Sequence, residues 1–332
     1  MRRSVMMVAA LALMMALHVP FAPAQTEQTA AAAQDPKQAE ADAYKAWYDA
    51  NAAKDLSKAI PLAKEYLEKF PNGQYAGYLR DKWLPQTQGY LFSEARKAKN
   101  TAEMITIGRQ ALEKDPENLD YLYLLAIDLR TNEISTNPPN YAHAGEAAEF
   151  TERAIKLIEG GKVPGVFADK SKWNQNAQLA YLYQTLAIVA EQKKDSDKAL
   201  QLYMKASSLD GTNVVNYFAC GRLHQEKYLS AVQKYQAFPE ADRTADPAKP
   251  EVKAALDEAN KHADMVIDCW ARFVAMSPNK TQVRDQVEKV ITDLYKYRHP
   301  ESPDGLQKLI DQYRSSTPAT STTGTSSPST KP

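Results

Sequence analysis

Few residues of this 332-residue sequence have types and spacings that could support catalysis. It contains no glycine-rich phosphate loop, paired-histidine metalloprotease motif, nucleophile elbow or haem-attachment motif. Ser277 and Lys280 fit a Ser-x-x-Lys string, but they lie on a turn between predicted helices and lack the companion motifs of penicillin-binding enzymes. The sequence therefore predicts a protein that is not an enzyme and that uses no cofactor.

The histidines and carboxylates do not form a recognisable metal-binding pattern. Beyond residue 24 the histidines are His143, His224, His262 and His299. Glu258 and His262 stand one helical turn apart, but a metal site needs three or four converging ligands, and Asp264 and Asp268 point around the helix. We expect no bound metal, a surface pair at Glu258 and His262, and a packing role for His224.

Two cysteines, Cys220 and Cys269, fall on the two predicted helices of one helix pair. An oxidising compartment would allow a disulfide between them. Cysteine is also among the residue types that are most often buried without a bridge. The sequence leaves both states open, a disulfide or two core thiols.

Charge gives no indication of the partner. The chain has 41 Lys and Arg against 41 Asp and Glu, so it has no net field that would attract nucleic acid or an anionic membrane. Removing residues 1–24 takes away Arg2 and Arg3 and leaves 39 basic and 41 acidic residues. We therefore expect no nucleic-acid partner.

The two ends of the chain have the composition of processed or disordered segments. Residues 1–24 combine Arg2 and Arg3, an apolar run from Val5 to Leu17 and a small-residue pattern ending at Ala24, which is typical of a signal peptide. That run is shorter than the roughly 20 residues needed to cross a bilayer. We expect cleavage after Ala24, a periplasmic or secreted protein without a membrane span, a flexible lead-in over residues 25–36 and a disordered Ser/Thr/Pro tail over residues 314–332.

Between the ends, apolar residues recur at helical spacing and no stretch alternates with the period of a strand. Helices are predicted over residues 37–53, 56–70, 85–99, 101–114, 118–131, 142–159, 171–193 and 195–209, with more up to about residue 312. Turns of related composition, such as residues 114–118 and 209–213, separate them. The predicted fold class is all-α.

The stretch from Leu182 to Asn213 resembles a tetratricopeptide repeat, a 34-residue helix-turn-helix unit with small and aromatic residues at fixed positions. The matching residues are Tyr183, Leu186, Ala187 and Ala190 on the first helix and Ala199, Tyr203, Ala206 and Gly211 on the second. The first-helix pattern recurs 34 residues later at Tyr217, Cys220, Gly221 and His224. The resemblance implies an α-α superhelix of about five such repeats over residues 37–313, closed by a capping helix pair and interrupted by an insertion at residues 238–250.

In this family the first helices line a concave groove in which peptides or partner helices dock. The resemblance therefore implies that one set of first-helix residues faces a partner: Tyr44, Tyr48, Asn51, Arg96, Tyr123, Ile127, Arg130, Tyr181, Ile188, Phe218 and Arg222. Members that hold acidic chaperone termini carry Lys and Asn at positions occupied here by Tyr44, Tyr48, Ser93 and Ile127. The ligand is therefore expected to be less anionic and more apolar.

Two functions fit the resemblance. The first is a scaffold of the bacterial cell envelope that docks an unidentified protein or peptide. The alternative is a periplasmic receptor that encloses a small apolar ligand or lipid within the solenoid. The same register predicts that Ala187 and Gly221 accept no larger side chain, whereas Tyr44 and Tyr123 can be truncated without loss of helix. The sequence leaves the oligomeric state and the biological process open.

Overall fold

The structure is a computed structural model that describes residues 35–316 except Ala168, Pro278, Lys280 and Pro303, and it gives no side-chain description for Lys170 and Ser316. The predicted signal peptide and most of the predicted lead-in and tail lie outside the described residues. Asp35 caps the first helix, which begins at Pro36, and the last helix ends at Ser316. Residues 36 and 314–316 are therefore helical.

The described part of the chain is helical and contains no strand, which confirms the all-α prediction. The longer helices of its first half are α1 (Pro36–Ala52), α2 (Leu56–Lys69), α3 (Gln88–Lys97), α4 (Thr101–Lys114), α5 (Leu119–Leu129) and α6 (Ala144–Glu159). Those of its second half are α7 (Gln175–Gln192), α8 (Ser196–Leu209), α9 (Val214–Gln236), α10 (Pro250–Met276), α11 (Gln282–Arg298) and α12 (Gly305–Ser316).

Two predicted helices begin at different residues in the structure, and both follow long connections. The helix predicted over residues 85–99 is preceded by helical turns from Ala76 onward, including a π-helical turn at Leu79–Trp83. The predicted helix at 171–193 begins only at Gln175, because the Asn174 side chain accepts a hydrogen bond from Ala177 N at 3.1 Å and so caps α7 there. The insertion contains a short helix at Glu240–Arg243.

Three turns, at residues 50–55, 95–100 and 190–195, share a chemistry that sets the helix-pair geometry. In each, a buried alanine carbonyl accepts from the backbone N–H five residues later, at 2.9–3.0 Å. The residue before that N–H is a lysine in the left-handed region: Lys54 at φ 58°, Lys99 at φ 54° and Lys194 at φ 61°. The next residue, Asp55, Asn100 or Asp195, caps the following helix through its side chain. The chain thus reverses direction in the same way three times.

The described residues divide into two compact units, one up to Pro85 and one from Gln86. In the second unit each helix from α3 to α10 packs against the helix that follows it, and α12 packs against α10. Helices one position further apart are also joined by side chains, since Arg96 of α3 pairs with Asp128 of α5. Arg222 of α9 pairs with Glu191 of α7 in the same way. Packed helix pairs are therefore a property of this unit.

The α9 and α10 helices form the longest contact of the second unit and run antiparallel. Cys220 and Cys269 form a disulfide across it, with 5.9 Å between their Cα atoms, which decides the question that the sequence left open. The indole of Trp270 lies over Gly221 and donates from Nε1 to Phe218 O at 3.1 Å. A Cβ placed on Gly221 would lie 2.2 Å from Trp270 Cδ1, so only glycine allows this approach.

Candidate functional site

Four tyrosines in the first unit form what we call the aromatic surface: Tyr44, Tyr48, Tyr75 and Tyr78. The Tyr44 and Tyr75 rings stack with their centroids 3.5 Å apart, and the Tyr44 and Tyr48 centroids are 6.3 Å apart. Tyr48 and Tyr78 are 54% and 47% exposed. Burial, followed by the neighbouring Tyr75 hydroxyl, raises the pKa of Tyr44. The four side chains offer aromatic rings together with hydroxyl groups.

A hydrogen-bonded turn fixes the position of Tyr75 within this surface. The Glu40 carboxylate of α1 accepts from the Tyr66 hydroxyl of α2 and from Gln74 N, both at 2.6 Å, and the Tyr66 hydroxyl accepts from Tyr75 N at 3.2 Å. Burial and the bond to Glu40 raise the pKa of Tyr66 to about 12, which keeps its proton in place at neutral pH. A Cβ on Gly73 would lie 2.5 Å from Glu40 Oε1, so a larger residue there would displace the Glu40 carboxylate.

Two buried tryptophans support the aromatic surface from below. Trp47 and Trp83 meet edge to face at 5.2 Å, and the Trp47 ring lies 6.1 Å from Tyr78. Asn51, expected to face a partner, accepts from Trp83 Nε1 at 3.0 Å. Its side-chain oxygen is therefore engaged within the protein, and Tyr44 and Tyr48 remain the candidates on α1.

Of the four tyrosines in the aromatic surface, the sequence predictions include Tyr44 and Tyr48 but not Tyr75 and Tyr78. Tyr78 comes 34 residues after Tyr44, which is one repeat length, so the register itself contained the signal. It was not applied because the helix containing Tyr78 was expected to begin only at Pro85. The π-helical turn at Leu79–Trp83 is what extends helical structure back to Ala76.

In the second unit, two of the predicted partner-facing arginines are used within the protein. Arg96 forms two hydrogen bonds to the Asp128 carboxylate across α3 and α5. Arg222 pairs with Glu191 of α7 and, at 2.8 Å, with Glu226 one turn along its own helix. Both are partly exposed. Each joins two helices that are separated by one helix in the chain, and neither presents a free charge.

Arg130 was expected to face a groove and is instead buried, so that expectation is wrong. Its Nη1 donates to Tyr181 O at 2.6 Å and to Thr185 Oγ1 at 3.2 Å, and its Nη2 donates to Gln184 Oε1. The guanidinium also lies 3.6 Å above the centre of the Tyr181 ring. Burial lowers the pKa of Arg130, which nevertheless keeps its charge. The polar neighbours compensate that charge.

Tyr123 also contradicts the expectation of an exposed groove residue, because only 6% of it is exposed. Its hydroxyl hydrogen-bonds Gln178 Oε1 at 2.5 Å, its ring lies 5.6 Å from Phe167, and burial raises its pKa. The remaining predicted residues are half-buried: Ile127, Ile188 and Phe218 pack against core clusters. A shift of one residue along a helix moves a side chain from the face toward a groove to the face toward the core. Such a shift explains why Tyr123, Ile127, Ile188 and Phe218 pack inward.

The candidate metal and catalytic residues do not come together. In the part of the chain that the structure covers, no group of three or more His, Cys, Asp or Glu side chains is arranged to hold a metal ion. Glu258 lies 3.6 Å from Lys234, so it has a basic neighbour of its own. Ser277 ends α10, while Lys280 lies outside the described residues.

His224 and His262 face each other across α9 and α10, with their Nδ1 atoms 3.1 Å apart. The pKa of His224 is lowered to about 4, mainly by burial and further by the neighbouring His262, Lys227 and Lys261. A histidine whose folded-state pKa is depressed stabilises the fold above its unfolded pKa of about 6.5, and this contribution is lost as the pH falls toward the folded value.

We expect the free energy of unfolding to drop by about 2 kcal/mol more in the wild type than in His224→Gln between pH 7 and pH 4.5. The reason is that only the wild type must protonate a buried imidazole. Urea unfolding at the two pH values measures the difference, and the carboxylates common to both proteins cancel. Equal pH dependence in the two proteins would show that His224 titrates normally.

Comparison of the sequence with known protein families and with functionally curated proteins gives no match. Among the described residues, no helix combines the length and the apolar character that crossing a bilayer requires.

Proposed function

We propose that this chain is a non-catalytic docking protein of the bacterial cell envelope, built as a tetratricopeptide-type solenoid, which binds an extended apolar peptide segment. The aromatic surface carries the proposal. It places four tyrosines side by side, two of them about half exposed, on a scaffold fixed by Glu40 and Tyr66. Tyrosine is enriched at binding hot spots because it offers a large amphipathic contact at a small entropy cost.

The packing of the second unit supports a repeat architecture. Side chains about one repeat apart join alternate helices: Arg96 reaches Asp128, 32 residues on, and Arg222 reaches Glu191, 31 residues back. The tetratricopeptide repeat has a length of 34 residues. The recurring turns with a left-handed lysine give the pairs α1–α2, α3–α4 and α7–α8 the same reversal. These features are what stacked helix-turn-helix units require.

Export to the envelope is part of the proposal. The N-terminal residues have the composition of a signal peptide, and the disulfide between Cys220 and Cys269 is the state expected in an oxidising compartment. The proposed function is therefore a protein–peptide contact that forms outside the cytoplasm.

The chemistry of the aromatic surface selects a class of ligand. The charged pair next to it on α1, Lys45 and Asp49, is mutually neutralised at 2.6 Å. Flat ring faces with hydroxyl groups at their edges suit apolar and proline-containing segments in extended conformation.

A small-ligand receptor is less well supported. The cavity between α10, α11 and α12 has a volume of about 340 Å³, at the lower end of the range of small-molecule sites. Asp264, Asp268 and His299 line it, and burying such groups against a lipid would cost free energy. The aromatic surface has no comparable penalty for an apolar partner.

Site-specific photocrosslinking in the producing cells tests the proposal. A photoreactive phenylalanine analogue at Tyr78 is expected to yield a discrete adduct, and Tyr48→Ser in the same chain is expected to reduce that adduct about tenfold by removing a ring of the surface. The same analogue at Tyr297, which is 57% exposed in the second unit, provides the matched control. Identical adducts from both positions, or none from Tyr78, would contradict docking at the aromatic surface.

A further inference from the structure

Sulfur is unevenly distributed in this protein. Beyond residue 34 the sequence contains four methionines and two cysteines: Met104, Met204, Cys220, Met265, Cys269 and Met276. Four of these six line a single cavity of about 260 Å³ between α8, α9 and α10. We call it the sulfur pocket, and its sulfur-bearing residues are Met204, Cys220, Met265 and Cys269.

The helices bring these four side chains into one place from three directions. Cys220 of α9 and Cys269 of α10 are bonded to each other. Met265 precedes Cys269 by one helical turn, a spacing that puts the two side chains on the same face of α10. Met204 of α8 is 50% exposed, so the pocket can be reached from solvent past a thioether.

The other lining groups discriminate against hard cations. Asp268 contributes the carboxylate of the pocket, and both of its oxygens are engaged, Oδ2 by Arg272 Nε at 3.2 Å and Oδ1 by the Tyr313 hydroxyl. Ser207, Ser208 and Tyr217 add only neutral hydroxyl groups, whereas calcium and magnesium are held mainly by carboxylates, carbonyl oxygens and water. Thiolates and thioethers instead favour soft ions such as Cu(I).

We propose that the sulfur pocket is a binding site for one soft monovalent metal ion, Cu(I) or Ag(I), which opens when the Cys220–Cys269 disulfide is reduced. In the oxidised protein two thioethers are available. In the reduced protein two thiolates join them, which gives a set of four sulfur ligands. The redox state of the disulfide therefore determines whether two or four sulfur atoms are available to the metal ion.

The chemistry balances with a thiol reductant. Two equivalents of a small thiol, or one of a dithiol, transfer two electrons to the disulfide, break its S–S bond, leave Cys220 and Cys269 as thiols and become a disulfide themselves. The metal ion then displaces the two thiol protons to solvent and keeps its oxidation state. Arg272 lines the same pocket, and its positive charge favours the thiolates.

Titration of the purified protein tests this site. The protein is reduced with a dithiol, freed of reductant without oxygen, and titrated with Ag(I) and, separately, with Cu(I) held by the chelator bicinchoninate. We expect reduced protein to take up one equivalent and to withdraw Cu(I) from the chelator, with at least about tenfold higher affinity than the oxidised protein. Thiolate-to-metal ultraviolet absorption reports the coordination.

Methionine variants separate a four-sulfur site from a pair of reactive thiols. Met204→Leu with Met265→Leu is expected to weaken uptake by about tenfold or more, while Met276→Leu, on α10 but outside the pocket, leaves it unchanged. Helical circular dichroism of each reduced protein monitors folding. Equal affinity of oxidised and reduced protein, equal affinity of the double variant and wild type, or loss of helix on reduction would each overturn the proposal.

Discussion

Replacing Gly221 by leucine is expected to lower the free energy of unfolding by about 3 kcal/mol or more, or to leave the chain aggregated. A Cβ alone at this position would lie 2.2 Å from Trp270 Cδ1, and a leucine adds three more carbons. The indole cannot move aside freely, because it is 4% exposed and its Nε1 donates to Phe218 O. Thermal unfolding followed by circular dichroism, together with tryptophan fluorescence, measures the effect.

Gly145→Ala is the matched control. Gly145 also lies in a helix, α6, and a Cβ there meets nothing within 4 Å. Alanine should be neutral or should stabilise the protein by up to about 1 kcal/mol, since it removes the helix-interior cost of glycine. If the Gly221 variant were as stable as this control, α9 and α10 would not approach each other closely at Trp270.

Truncating Tyr123 to alanine is expected to cost about 3–5 kcal/mol of unfolding free energy. The change removes a buried ring that contacts Phe167 and Trp173, and it leaves Gln178 without its hydroxyl partner. This expectation reverses the sequence-based one, in which Tyr123 was an exposed groove residue. Urea unfolding of the variant and the wild type measures the loss.

Tyr48→Ala supplies the comparison for an exposed tyrosine. More than half of Tyr48 is exposed, so its removal should change stability by no more than about 0.5 kcal/mol. Tyr48 is also the residue whose loss is expected to weaken docking. Equal destabilisation by the two variants would place Tyr123 at the surface and restore the original groove.

The helical periodicity of the sequence predicted most of the fold, because each helix carries its own start and stop signals. Asp and Asn caps and the recurring positions of buried alanines are local features, and they are read correctly without knowing the neighbours. The predicted bounds of α4 and α8 agree with the structure to within one residue. The π-helical turn at Leu79–Trp83 was missed because nothing local in the sequence distinguishes it from an α-helical turn.

The candidate site was predicted only in part, because a groove residue and a core residue differ by a small rotation about the helix axis. Tyr44 and Tyr48 lie at the surface as expected, whereas Tyr123 and Arg130 turn inward toward Gln178 and Tyr181. Residue type does not distinguish a surface position from an inward one, since tyrosine and arginine serve equally well in an interface and in a polar contact between helices. The direction of each side chain depends on where the next helix pair packs.

By itself the sequence determined an all-helical chain with small residues where helices cross, since these properties depend on local spacing and on residue size. The tertiary structure alone decided which side chains meet. It joined Cys220 to Cys269, gathered two methionines beside them, and placed Tyr75 against Tyr44. Contacts between residues about 30 to 60 positions apart depend on the angle and depth at which helices pack, and that geometry is fixed only when the whole core closes.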